Sequence, residues 1–243
     1  MSRHMRVLPA VLIAGIALVL GAGPTVLPAQ QLRLSEAQIF FEFNSSAQDL
    51  GVQVFLDGEW ESLKIFDPNG NQIFNVSGEG SVKELGLTEL FFESVEPPVG
   101  EGGTHTIDQI LALFPEGKYD WLGVTKAGDA IVGTATLTHD IPNGPVILSP
   151  AEGARVDPNN TVISWLPVTT PKGIQIIKYQ IIVEKPDVGG YRKRVLIVEV
   201  LPSRTSLTVP REFLKRDTDY ICEVLAKEVS GNQTITECSF ETK

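Results

Sequence analysis

Leu214-Lys-Arg-Asp-Thr-Asp-Tyr220, followed by the alternating run Ile221-Cys-Glu-Val-Leu-Ala226, decides the fold class of this 243-residue chain. A Tyr just before a strand, closing a turn that begins with a buried Leu, ties down the corner of a Greek-key sandwich. The phenol hydrogen-bonds back to the backbone while its ring joins the core. Upstream, Val162-Ile-Ser-Trp165 reads as a strand that brings a Trp into the same core.

Outward from that corner, residues 145–149, 161–166, 176–184, 191–200, 205–209, 220–227 and 234–241 read as strands separated by turns. Strict alternation puts Val162 and Trp165 on opposite faces, so both reach a core only across a twist or bulge. Arg192-Lys-Arg194 opens the fourth strand.

Trp165, Tyr179, Leu214, Thr218 and Tyr220 stand where the fibronectin type III pattern places its core Trp, an inward Tyr and its Leu–Thr–Tyr corner. Residues 144–243 therefore resemble a fibronectin type III domain. Arg216 departs from the pattern, which usually has Pro at that point of the corner. The resemblance implies an extracellular spacer or binding module. The chain has no Arg-Gly-Asp tripeptide, so the integrin-type adhesion of some members has no residue to carry it.

The start of the chain reads as an export signal. Arg3, His4 and Arg6 precede an uncharged apolar stretch from Val7 to Leu20, and small residues and Pro follow up to Ala29. The apolar stretch falls short of the roughly 20 residues a membrane span needs, and it contains Pro9. We expect cleavage after Ala29, no membrane segment in the mature form, and a secreted or periplasmic location. An uncleaved N-terminal anchor is the alternative.

Pro142, Gly144, Pro145 and Pro150 punctuate a stiff connector between two domains, 30–143 and 144–243. The first carries five Lys and Arg against 18 Asp and Glu, a net −13, and the second 13 against 12, a net +1. Such an acidic half repels nucleic acid and anionic membrane surfaces and attracts cations or basic surfaces.

In the first domain, 39–44, 52–56, 62–66, 72–76, 87–95, 119–125 and 130–139 read as strands, with Asp67-Pro-Asn-Gly70 as a hairpin turn. Ile107, Ile110, Leu111 and Phe114 fall at helical spacing behind Thr106 as cap. The expected fold is all-β: two consecutive antiparallel sandwiches, with one short helix in the first.

Cys222 and Cys238 are the two cysteines. They lie equidistant from a turn centred on Ser230, so either a cross-strand disulfide or two buried thiols fit. Glu42, Asn44, Asp49 and Asp57 bracket Gly51 and form a candidate calcium set, since calcium takes mixed carboxylate and amide oxygens. Unrelated surface acids are the alternative. Trp60, in Asp57-Gly-Glu-Trp60, and Trp121, on one strand face with Tyr119, are candidate ligand platforms for a carbohydrate, or lids over the core. Asn44, Asn75, Asn159 and Asn232 begin Asn-x-Ser/Thr sequons.

No nucleophile elbow and no His-Glu-x-x-His motif occurs, so we expect no catalytic site, with a carbohydrate-active enzyme on a carboxylate pair such as Glu59 and Glu61 or Glu89 and Glu93 as the lesser alternative. Two functions compete. One is an accessory protein whose acidic sandwich recognises a carbohydrate or extracellular protein, with the second sandwich as spacer or dock. The other is a structural brick of an envelope or extracellular assembly.

Overall fold

In a computed structural model of the chain, residues 31–185 and 195–243 are described. The expected export signal, together with Tyr191 and Arg192-Lys-Arg194, lies outside them. The described chain is all-β apart from two short helices. The first half holds β1 (Gln31–Arg33), β2 (Glu36–Asn44), β3 (Asp49–Trp60), β4 (Ser62–Phe66), β5 (Gln72–Ser77), helix α1 (Gly80–Leu85), β6 (Leu87–Glu93), helix α2 (Ile107–Leu113), β7 (Gly117–Val124) and β8 (Ala130–Leu137). The second holds β9 (Ile147–Ser149), β10 (Ala154–Val156), β11 (Val162–Trp165), β12 (Ile176–Glu184), β13 (Val195–Val200), β14 (Ser206–Thr208), β15 (Asp219–Glu228) and β16 (Gln233–Thr242).

In the first sandwich a five-stranded sheet, β1-β8-β7-β4-β5, faces β2-β3-β6. The register pairs Ile39 with Val54 and Phe41 with Val52. Period-two alternation therefore sends all four into one core, which they share with Leu63, Ile65, Tyr119 and Trp121. The second sandwich packs β14-β11-β9 on β13-β12-β15-β16. Its core joins Trp165 edge-on to Tyr179, with ring centroids 5.3 Å apart, and stacks Tyr220 on Phe240 at 5.4 Å.

The corner works as the sequence implied. Tyr220 is buried, and its Oη accepts the Lys215 N–H at 2.9 Å. Arg216 stands where Pro was expected, and the turn is closed by other means. Asp217 takes a left-handed backbone (φ 46), and the Thr218 N–H donates to Thr242 Oγ1 at 3.1 Å. Ile163 and Trp165 are the core residues of β11, while Val162 is half-buried on the other face. A register shift does lie between Ser164 and Trp165, in the pairing with β9. Cys222 and Cys238 sit directly opposite each other and form the disulfide, Cα–Cα 5.1 Å.

Three features depart from expectation. The first half holds a second short helix, α1, besides the expected α2. Among the described residues three strand pairings are parallel: β1 with β8, β10 with β16, and β16 with β2. The last runs between the two sandwiches, pairing Gln233 with Glu42, Thr234 with Phe43 and Ile235 with Asn44. One sheet, β13-β12-β15-β16-β2-β3-β6, therefore passes through both halves, with β10 beside the far end of β16.

Tyr220→Phe should cost about 1–3 kcal/mol, because the Lys215 N–H is left without its acceptor. Urea unfolding of the whole chain measures this. A midpoint equal to wild type would mean that the corner bond does not hold the fold.

Candidate functional site

The seam between the sandwiches is organised by the β15–β16 turn. Asn232, fully buried at its tip, accepts the Phe41 N–H through Oδ1 at 2.8 Å. Its Nδ2 donates to the carbonyls of Thr138 at 3.0 Å and Asp140 at 3.2 Å. One carboxamide thus joins β2, the connector and the second sandwich. Thr234 Oγ1 adds a donation to the Pro142 carbonyl, and Ser230 Oγ bonds Thr138 Oγ1 at 2.7 Å. Gly231, at φ 106, packs against the Phe40 ring, which explains why Phe40 is buried on the face of β2 turned away from the core. The sequon reading of Asn232 fails here, because its amide is enclosed and fully engaged.

On the inner side of the seam, beyond Ile235, lies a cavity of about 670 Å³. Phe43 and Leu50 form part of its wall, with Ile107 and Leu111 from α2 and Val146 from the connector. Helix α2 is placed by a capping box. Thr106 Oγ1 accepts from Gln109 N at 3.2 Å, and the Gln109 side chain accepts the Thr106 N–H at 2.8 Å. The ionisable lining is His139, Glu152 and Glu237, and no Lys or Arg among the described residues joins it. Hydrogen bonds from the Ser239 hydroxyl and N–H hold the Glu152 carboxyl below the ordinary carboxylate range, so it stays charged.

On the outer face, alternation turns Glu42 away from the core, and it meets Glu93 and Glu96. Carboxylate oxygens of the three lie within 4.8 Å of one another. Gly51, opposite Glu42 in the register, makes room for this: a Cβ there would lie 2.6 Å from Glu96 Cγ. The segment after β6 is held down by the Val52 N–H donating to Ser94 Oγ at 3.0 Å. Gln233 Nε2 donates to Glu42, and Gln53 Nε2 to Glu93 at 3.0 Å. Three enclosed oxygens nearby have no hydrogen-bond donor: Glu96 Oε1, Asp49 Oδ1 and Gln233 Oε1. Burial, then the charges of Glu42, Glu93 and Asp49, push the Glu96 carboxyl up to about 7. Burial likewise raises Glu42, and burial with Glu237 raises Asp49. Lys227 is the cation that acts on Glu42 from the second sandwich, and burial lowers its own pKa.

The expected calcium set does not converge. Glu42 belongs to the cluster, and Asp49 stands at its margin. Asn44 spends its carboxamide on a local turn, accepting from Ser46 and Ala47 N–H and donating to Glu237. Asp57 pairs with Glu36 at the opposite end of the β2–β3 hairpin, roughly 26 Å along the strand from Asp49, and accepts from Ser35 Oγ. Trp60 and Trp121 are 3% and 0% exposed, so neither offers a face to a sugar. Trp60 lies in β3 beyond a bulge, not in a turn, and returns to the core. Glu93, Glu96 and Gln233 were missed, because their convergence depends on a strand pairing between distant segments.

No protein-family model matches the chain, and no curated protein is similar to it. Among solved structures it is similar to the chicken CNTN1 FN1–FN3 domains, at 12% identity and a TM-score of 0.30. That likeness covers 88% of this chain and 65% of that one, and the architecture rests on the strand order described above.

Asn232→Ala should uncouple the halves. The Phe41 N–H loses its acceptor, at about 1–3 kcal/mol, and one calorimetric transition should split into two. A single transition at the wild-type temperature would show that Asn232 is not the tie.

In chelator-treated protein, stability should fall as pH rises from about 5.5 to 8. The folded chain binds the Glu96 proton more tightly than the unfolded chain, so that contribution is complete below the ordinary Glu value and lost through about 7. Glu96→Gln should flatten this slope in urea midpoints. An unchanged slope would place the titration elsewhere.

Proposed function

We propose that the chain is an exported, non-enzymatic recognition module, with an acidic sandwich and a fibronectin type III-like sandwich holding a ligand in the cleft between them. The cavity of about 670 Å³ carries this reading. Ligand sites are typically clefts of roughly 300–1,000 Å³ and concentrate where domains meet. The wall chemistry selects the ligand class. An apolar wall beside Glu152 and Glu237, with no Lys or Arg among the described residues, suits a molecule with an apolar body and a cationic group, such as a basic segment of an extracellular protein. Burial of both Trp residues removes the main support for a carbohydrate platform.

Export is supported by the signal-like N-terminus and by the Cys222–Cys238 disulfide, since such bonds persist in oxidising compartments. No helix among the described residues is long and apolar enough to cross a membrane. The structural-brick reading keeps one observation in its favour: the shared sheet makes the two sandwiches a single stiff unit.

Ile107 is 39% exposed on the cleft wall, so a larger side chain there fills the cavity without disturbing a core. A panel of cationic amphiphiles should bind the wild type, and Ile107→Trp should weaken binding at least about tenfold, or 1.4 kcal/mol, with little change in melting temperature. Equal binding by both proteins, or none by either, would favour the brick.

A further inference from the structure

We infer that Glu42, Glu93 and Glu96, together with the carboxamide oxygen of Gln233, form a calcium site that clamps the seam between the two sandwiches. The inference does not rest on the cleft, whose lining includes none of these four side chains.

Charge makes the first demand. Three carboxylates bring their oxygens within 4.8 Å of one another, and Glu42 is 92% buried, its exposure being 8%. The charged groups acting on this cluster are Asp49 on Glu96 and Lys227 on Glu42, and Lys227 is itself engaged with Lys178 and Glu199. One shared ammonium does not neutralise three acids.

The second demand is independent of the acids. Gln233 is 3% exposed, and its Nε2 is committed to Glu42, while its Oε1 has no donor. Both atoms belong to one planar amide, so the bare oxygen is carried by the same group that contacts Glu42. Glu96 Oε1 is equally enclosed and equally without a donor. A buried acceptor lacking a partner is costly, and a single cation satisfies both oxygens along with the negative charge. A proton serves only one or two of them.

The donor set selects the ion. All-oxygen ligands of mixed carboxylate and amide type suit a hard divalent cation. Calcium accepts six to eight oxygens in flexible geometry, whereas magnesium demands a near-ideal octahedron and parts reluctantly from its waters. Glu93 is exposed, so solvent can complete the shell. The ligands come from β2, the end of β6, the segment after it, and β16. The bound ion therefore links first-sandwich strands to a strand of the second.

The test uses the full chain, stripped with chelator and melted with CaCl₂, MgCl₂ or NaCl at matched ionic strength. Calcium at about 100 times its dissociation constant should raise the melting temperature by several degrees, with magnesium and sodium giving less than half of that. Calorimetric titration near pH 7 should show proton release, and affinity should fall at least about tenfold by pH 5.5 as Glu96 retains its proton. Glu96→Gln and Glu93→Gln should each abolish the calcium shift, and Asp57→Asn, at the far end of the hairpin, should keep it. If Glu96→Gln fails to fold, the exposed Glu93→Gln decides. A shift matched by magnesium or sodium, one that survives in Glu93→Gln, or no heat of calcium binding would overturn the site. Stabilisation by Glu96→Gln together with no calcium shift in the wild type would also overturn it, leaving protons as the neutraliser.

Discussion

The parallel pairing of β16 with β2, locked by the Asn232 carboxamide, is the constraint on which the rest depends. Only three residue pairs make it, but they fix a register. That register turns Glu42 outward beside Gln233, and it turns Phe43 inward toward the cleft. A slip of one residue would exchange the two faces. The cleft, the acid cluster and the fixed angle between the sandwiches are thus consequences of one short ladder. The connector contributes by returning its Thr138 and Asp140 carbonyls to the same amide.

Local signals in the sequence were read well because their causes are local. The Tyr220 corner, the Asp67–Gly70 turn, the Thr106 cap and the Cys222–Cys238 pairing each follow from a few neighbouring residues. Alternation also identified most strands, and β12 was read end to end. What escaped is non-local. Nothing near Asn232 says that its amide will reach Phe41, 191 positions away. Trp60 looked like a turn residue because Asp57-Gly58 reads as a break. The chain instead bulges there and resumes its strand, returning the indole to the core.

The acid cluster shows the same limit from the side of chemistry. Proximity in sequence suggested Glu42, Asn44, Asp49 and Asp57, yet a strand carries successive residues about 3.3 Å apart, so its two ends cannot share an ion. Neighbours across a sheet can. Glu93 and Glu96 reach Glu42 through the β3–β6 pairing and the vacancy above Gly51, neither of which is written in any one segment. The missing Cβ is the single local trace, a Gly inside a strand, where close approach by another group is a standard reason for its presence.

Because β16 lies 191 positions after the β2 residues it pairs with, the edge of β2 that it covers stays bare until that distant strand is available. During synthesis from the N-terminus, the acidic sandwich therefore waits with an open row of backbone donors and acceptors. Exposed edges of this kind invite pairing with other chains. The surplus of negative charge in that half offers a defence, since two such intermediates repel each other before their edges can meet. The acidity of the first sandwich then serves the passage to the native state as much as the native state itself.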